Sequence, residues 1–196
     1  MRRYVAITGG IGSGKSSVLQ IVKSLGYPAF SCDEINRELL LDKAYIFEFS
    51  KLFPMCMQEG RINVNTLRER VFSNKSELNK LNNLAHPFIM RKLFDKMETF
   101  KEGLVFAEVP LLFENHYEEL FNEVIVVLRN LETRISSVQF RDGVKREDIL
   151  QRIQMQFDYK DILKYSKNKN LFLIHNDKDI LTLKNDVEKI LKRLSL

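Results

Sequence analysis

The feature that most constrains this chain is the segment GGIGSGKSS, residues 9–17, which contains a complete G-x-x-x-x-G-K-S pattern. A short apolar run, residues 4–8, precedes it, and apolar residues at helical spacing follow it from Val18 onwards. This order predicts a strand, a glycine-rich loop and a helix, with loop N–H groups pointing at phosphate oxygens. A plain glycine-rich turn is the alternative, but the flanking strand and helix favour phosphate binding.

Each residue type in this segment has a predicted part in binding a nucleotide. The ammonium of Lys15 supplies a cation for the phosphates, and the hydroxyl of Ser16 supplies a Mg²⁺ ligand. The helix after the loop adds the positive end of its dipole. The predicted nucleotide-binding residues of the segment are Gly9, Gly10, Gly12, Ser13, Gly14, Lys15, Ser16 and Ser17.

Length and composition limit the class of protein. The 196 residues suit one domain with insertions, and 44% hydrophobic and 29% charged residues are usual for a globular chain. No apolar stretch is long enough for a signal peptide or a membrane span, which predicts a cytoplasmic protein without a membrane partner. Cys32 and Cys56 have no neighbouring His cluster, so we expect neither a zinc site nor a disulfide framework.

The net charge of +5 is concentrated in one segment. Residues 129–169 contain ten Lys/Arg and six Asp/Glu, and the rest of the chain is nearly balanced. The basic residues lie on helix-like sequence with its own acids, whereas a nucleic-acid-binding stripe more often interleaves them with aromatic residues. A lid that closes over polyphosphate explains this charge better than a nucleic-acid partner, and a solvated charged face is the remaining alternative.

Continuous apolar runs predict five strands separated by helices. The runs are residues 4–8, 28–30, 104–107, 124–128 and 171–174. Such runs are typical of parallel strands covered on both faces. We therefore predict an α/β chain with the P-loop NTPase fold, in which helices flank a five-stranded parallel sheet and two helical insertions interrupt the core.

The predicted single domain has its core at residues 1–33, 102–130 and 170–196, an acceptor-binding helical insertion at 34–101 and a lid at 131–169. Within the acceptor-binding insertion we expect no strand, and we expect helix breaks near Pro54, at Gly60 and at Pro87. The layout favours a small-molecule kinase over a switch GTPase, because the chain has no N-K-x-D motif.

Phosphoryl transfer to a hydroxyl needs a carboxylate that orients the hydroxyl and takes its proton. Asp33 is the predicted base because it follows the second strand, at the same carboxyl edge of the sheet as the glycine-rich loop. Its alternative role is to cap a helix that begins at Glu34.

These residues resemble the dephospho-CoA kinase family over nearly the whole chain. The segment ITGGIGSGKSS is similar to the family's phosphate loop, and DEINR, residues 33–37, resembles its catalytic Asp followed by an Arg. Further matches are residues 60–72, His86-Pro87, PLLFE at 110–114, RDG at 141–143 and RIQMQ at 152–156. The resemblance implies transfer of the γ-phosphate of ATP to the 3′-hydroxyl of dephospho-CoA, with Mg²⁺ as cofactor. We expect a monomer or a weak homo-oligomer.

The resemblance also implies roles for single residues. The implied catalytic residues are Asp33, Lys15 and Arg141. Arg141 and Asn176 join the ATP-binding residues, Ser16 is the metal ligand, and Glu108 or Asp33 stands in the outer shell of the metal. The implied acceptor-binding residues are Asp33, Arg37, His86, Pro110, Leu111, Leu112 and Glu114. Simpler roles are a helix end for His86, packing for Leu111, Leu112 and Phe113, a helix cap for Glu114 and a salt bridge for Arg152.

Several positions depart from the family pattern. Ser31, Val64 and Ser137 stand where Asp, Arg and a further lid Arg are frequent, and Glu108 stands where Asp or an apolar residue is common. In the last strand and the loop after it, residues 170–178, only Ile174 and Asn176 of the usual motif remain, so we expect weaker adenine selectivity. The alternatives are another P-loop kinase for nucleosides or nucleotides, and a nucleotide-binding regulator without turnover.

Overall fold

Five parallel strands form the sheet in a computed structural model of this chain. They are β1 (Arg2–Thr8), β2 (Ala29–Ser31), β5 (Gly103–Glu108), β6 (Glu123–Leu128) and β7 (Asn170–His175). Their order across the sheet is β2-β5-β1-β6-β7, and all neighbours are parallel. The structure describes residues 1–72, 74–159, 162 and 170–195. The predicted fold class is confirmed.

The chain divides into two compact units, Met1–Ser31 with Phe100–Leu196, and Cys32–Thr99. The core of the first unit lies between the sheet and two helices, α1 (Lys15–Ser24) and α8 (Ile180–Leu194). Alternate strand residues such as Val5 and Ile7 pack there against Val18 of α1 and Val187 of α8, and all four are fully buried. Each such side chain contributes roughly 1.5–3 kcal/mol to the free energy of folding.

The strand order determines which side chains meet at the carboxyl edge of the sheet. Strand β1 lies between β5 and β6, and its Ile7 is in register with Glu108 at the end of β5. Ser31, at the end of β2, is in register with the same Glu108. Parallel α/β sheets bind ligands at this edge, because all strands end there and loops replace the sheet.

Helices α6 (Leu131–Asp142) and α7 (Arg146–Gln154) follow β6, and a small core of Ile135, Val138 and Ile149 joins them. Helix α6 ends at Gly143, whose φ of 65° is the left-handed conformation that closes many helices. Of the predicted lid, residues 160, 161 and 163–169 lie outside the described residues.

The second unit is built on helix α5 (Lys75–Glu98), against which α2 (Cys32–Leu39), α3 (Lys43–Leu52) and α4 (Val64–Phe72) pack. The carboxylate of Asp42 caps α3 by accepting the N–H groups of Ala44 and Tyr45, and Asn74 caps α5 in the same way. Within the described ranges, no helix is both long and apolar enough to cross a bilayer.

Two expectations for this unit were wrong. The unit contains a short antiparallel hairpin, β3 (Met57–Gln58) and β4 (Arg61–Ile62), whose strands are too short to give an apolar pattern. Helix α5 also continues through Pro87. Apolar residues at four-residue spacing, Ala85, Ile89, Leu93 and Met97, are buried on both sides of the proline, so packing outweighs the local cost of the ring.

Replacement of Pro87 by alanine should therefore stabilise the protein. Pro87 cannot donate to the carbonyl of Asn83 inside α5, and alanine restores this hydrogen bond. We expect the free energy of unfolding to rise by about 1–3 kcal/mol, measured by urea denaturation with circular dichroism. A fall of about 1 kcal/mol or more would show instead that the helix needs the proline ring.

Candidate active site

The glycine loop, residues 9–14, joins β1 to α1 at the carboxyl edge of the sheet. Gly14 caps α1 with a φ of 95°, a conformation that strains any other residue. A Cβ atom at Gly14 would also overlap the side-chain amide of Asn176. The backbone can therefore take this path only because the residue is glycine.

Asn176 holds the glycine loop from the side of the last strand. Its Nδ2 donates to the carbonyl oxygen of Ser13 at 2.9 Å, and its backbone N–H donates to Leu128 at 2.8 Å. The side chain is buried, so this contact satisfies a carbonyl that solvent does not reach. The family resemblance implies that Asn176 binds ATP. The structure shows its contact with the loop, and a contact between Asn176 and ATP stays a prediction.

Lys15 is folded back onto the loop that precedes it. Its Nζ donates to the carbonyl oxygens of Gly9 and Gly10 at 2.9 and 3.2 Å, and the residue is only 9% exposed. The ammonium is thus held inside the curve of the loop, where the pattern predicts that phosphates bind. Ser16 and Ser17, by contrast, are exposed in the first turn of α1.

Glu108 connects two hydroxyl groups at this edge. Its Oε1 accepts from the hydroxyl of Ser16 at 2.9 Å, and its Oε2 accepts from Ser31 at 3.3 Å. The carboxylate is 4% exposed. Hydroxyl and carboxylate oxygens are ligands that Mg²⁺ accepts, so this pair fits a magnesium ion. Among described residues no group of three or more His, Cys, Asp or Glu could hold a metal.

Arg134 of α6 also contacts the glycine loop, although no sequence motif had predicted a role for it. Its Nε donates to the carbonyl oxygen of Ile11 at 2.8 Å, and its guanidinium lies against Gly10. The residue is half-buried, and the loss of hydration lowers the pKa of the guanidinium. Its spacing of seven residues from Arg141 puts both arginines on one face of the helix, which the sequence alone could have indicated.

The segment after α7, residues 156–159, lies against the same loop. Oε1 of Gln156 accepts the N–H of Ile11 at 2.8 Å, and the hydroxyls of Tyr159 and Thr8 are 3.4 Å apart. Burial raises the pKa of Tyr159, so its phenol stays neutral. Glu114, predicted as an acceptor ligand or a helix cap, accepts the N–H of Phe157 at 2.9 Å.

A cavity of about 460 Å³ lies between the glycine loop, the end of β6 and the residues of α6, α7 and 156–159. Gly10 and Ser13 of the loop, Arg129 and Arg134 line it, together with the aromatic ring of Phe157. A cavity of this size is suited to a small-molecule ligand.

Other residues of the predicted site have different surroundings. Arg141 lies exposed at the end of α6, where its guanidinium makes a bidentate pair with Asp142 at 2.7 and 2.8 Å. This pairing lowers the pKa of Asp142. After β5, Leu112 and Phe113 are buried as core residues, whereas Pro110 and Leu111 are half-buried.

The second unit holds the remaining predicted residues. Asp33 and Arg37 are exposed, four residues apart and hence on one face of α2. Because α2 begins at Cys32, Asp33 lies inside its first turn and does not cap a helix at Glu34. His86 is half-buried within α5 and is not at a helix end.

Comparison with known proteins gives consistent results. The dephospho-CoA kinase family model matches residues 3–181. Dephospho-CoA kinase of Thermus thermophilus is 30% identical over 191 residues, 97% of this chain and 91% of that protein. That of Dehalococcoides mccartyi is 32% identical over 99% of both chains. The solved dephospho-CoA kinase of Campylobacter jejuni matches with a TM-score of 0.70 and 28% identity, over 100% of this chain and 98% of that one.

Replacement of Asn176 by alanine tests its hold on the glycine loop. The carbonyl of Ser13 loses its donor while it stays buried, so the free energy of unfolding should fall by about 1–3 kcal/mol. The loosened loop should also bind ATP about tenfold more weakly, measured by isothermal titration calorimetry. His175→Ala, which removes the neighbouring exposed side chain, is the matched control. Unchanged stability and affinity in Asn176→Ala would contradict this role.

Proposed function

The chain belongs to the dephospho-CoA kinase family, and on this premise we propose which residues bind the substrates and which act in the reaction. The protein transfers the γ-phosphate of ATP to the 3′-hydroxyl of dephospho-CoA and forms coenzyme A, the final step of coenzyme A biosynthesis. One observation supports the assignment of this chemistry to the carboxyl edge of the sheet. A glycine loop, a lysine ammonium and the Ser16–Glu108 pair meet there.

ATP binds with its phosphates in the glycine loop. The N–H groups of the loop and the ammonium of Lys15 bind phosphate oxygens and offset their negative charge. For this, Lys15 exchanges its contacts with the carbonyls of Gly9 and Gly10 for phosphate oxygens. The small, soluble substrates support a cytoplasmic location. The oligomeric state, a monomer or a weak homo-oligomer, stays a prediction.

Mg²⁺ is the proposed metal, with the hydroxyl of Ser16 as its protein ligand and Glu108 beside it. The 2.9 Å contact between these two groups supports this choice, because both present oxygen atoms to the same place. When bound, the ion neutralises charge on the β- and γ-phosphates. Because the buried carboxylate of Glu108 accepts the hydroxyl hydrogen of Ser16, the lone pairs of the hydroxyl oxygen would remain available to the ion.

Asp33 is the proposed general base, which orients the acceptor hydroxyl and takes its proton. It is exposed and therefore open to a ligand. Arg37, one helical turn further along α2, is proposed to bind the acceptor, as are His86, Pro110, Leu111 and Glu114. Leu112 is also a predicted acceptor-binding residue, although its side chain is part of the core.

Arg141 is the proposed cation for the phosphoryl group in transfer. Its guanidinium pairs with Asp142 on the surface, so it must leave this partner to reach a phosphate. An exposed ion pair of this kind contributes only about 0–1 kcal/mol, and a phosphate with more charge competes with it easily.

A direct assay tests the function. Purified protein with ATP and Mg²⁺ should convert dephospho-CoA to coenzyme A, and should not phosphorylate nucleosides or nucleotides. Liquid chromatography measures the products.

Lys15→Ala should abolish turnover, because we expect no other cation to replace its ammonium on the phosphates. EDTA should do the same. Phosphorylation of a nucleoside or nucleotide in place of dephospho-CoA would favour another P-loop kinase. Binding of ATP without any turnover would favour a nucleotide-binding regulator.

Asp33→Asn tests the base. The amide cannot take a proton, so turnover should fall by about 10²–10⁴, while the Kd for ATP changes little. Steady-state kinetics and calorimetry measure the two quantities. Glu34→Gln, the same change on the next exposed residue of α2, is the control and should retain near-normal turnover. If Asp33→Asn weakens ATP binding and leaves the turnover of bound substrate intact, Asp33 is not the base.

A further inference from the structure

Arg134 places a cation on the glycine loop for which the proposed mechanism has no role. Its Nε donates to the carbonyl oxygen of Ile11, and a Cβ atom added to Gly10 would overlap Nη2. The guanidinium has five N–H donors, and this hydrogen bond uses one of them. Within the described part of the chain, Nη1 and Nη2 have no acceptor, and no carboxylate forms an ion pair with Arg134.

Among the described residues, no anionic group compensates the charge of Arg134. The guanidinium is half-buried, and burial removes hydration that stabilises a cation. The hydroxyl of Tyr159 lies close by, but burial keeps it neutral, so it supplies no negative charge. An anion that binds beside Arg134 would restore the interaction that burial removes.

The cavity next to Arg134 has the charge that such an anion requires. Arg129 is a second cation on its wall, held by a hydrogen bond from Nη1 to the hydroxyl of Ser137 at 3.0 Å. Asp158 is the one acidic residue among the described residues that line it. Gly10 and Ser13 of the glycine loop lie on the same wall. The described residues that line the cavity thus include part of the glycine loop and carry more positive than negative charge.

We propose that Arg134 binds the β- or γ-phosphate of the nucleotide through Nη1 and Nη2. The proposal rests on the proposed function for the identity of the nucleotide. Arg134 precedes Arg141 by two helical turns, so the two residues lie about 10 Å apart along α6. They serve different steps: Arg134 holds the bound nucleotide, and Arg141 acts on the phosphoryl group in transfer.

Calorimetric binding of ADP and of inorganic tripolyphosphate to the full chain tests this. Arg134→Gln removes the charge but keeps an amide that can donate to the carbonyl of Ile11. Both Kd values should rise by about ten- to hundredfold, as expected for the loss of charge-assisted hydrogen bonds. Arg134→Lys keeps the charge without the planar donor edge, and its loss of affinity should be about tenfold smaller than that of Arg134→Gln. Arg146→Gln is the control, because it removes an exposed arginine paired with Glu132.

Two results would overturn the proposal: Kd values for Arg134→Gln within about twofold of the unmodified chain, or equal losses in the glutamine and lysine variants. A second measurement needs no substitution. Tripolyphosphate should protect Arg134 from phenylglyoxal, mapped by mass spectrometry, and leave Arg146 reactive; equal labelling of Arg134 with and without tripolyphosphate would contradict the contact. An unmodified chain that binds ADP but does not phosphorylate dephospho-CoA would refute the proposed function and leave this contact intact.

Discussion

The buried carboxylate of Glu108 connects three elements of the first unit at the edge of the sheet. It accepts hydrogen bonds from Ser16, at the start of α1, and from Ser31, at the end of β2, while Glu108 itself ends β5. A carboxylate removed from water destabilises a fold unless donors surround it, so the two hydroxyl groups make its position possible. The side chain of Glu108 thereby connects the ends of β2 and β5 to the first turn of α1, the helix that follows the glycine loop. The geometry of the candidate metal site is therefore also the geometry that holds the sheet edge together.

The sequence predicted the sheet correctly because its information there is local. Each buried parallel strand is a continuous apolar run, and the glycine pattern marks the turn after the first one. The second unit was harder to predict because two of its features do not follow from residue patterns. Pro87 is a helix breaker in isolation, yet the buried side chains of Ile89 and Leu93 continue the apolar face of α5 through it. The hairpin at residues 57–62 has only two residues in each strand, which is too few for an alternating pattern.

Local patterns in the sequence predicted only part of the candidate site. The pattern of residues 9–17 identifies the loop and its lysine, since their roles follow from residue type and spacing alone. The residues that hold this loop come from distant parts of the chain: Asn176 is 163 positions from Ser13, and Arg134 is 123 positions from Ile11. No local pattern encodes such pairs. Asn176 was assigned to the nucleotide from the resemblance, and only the coordinates show that its amide is occupied by the loop.

The glycine loop is hydrogen-bonded to side chains from several parts of the chain. Gln156 accepts from the N–H of Ile11, Arg134 donates to the carbonyl of the same residue, and Lys15 donates to two carbonyls of the loop. A phosphate that enters must replace some of these contacts, so nucleotide affinity is the difference between two sets of hydrogen bonds and not the sum of the new ones. Gln156 belongs to the segment after α7, so a phosphate oxygen that accepted from the N–H of Ile11 would displace the contact of Gln156 with the loop.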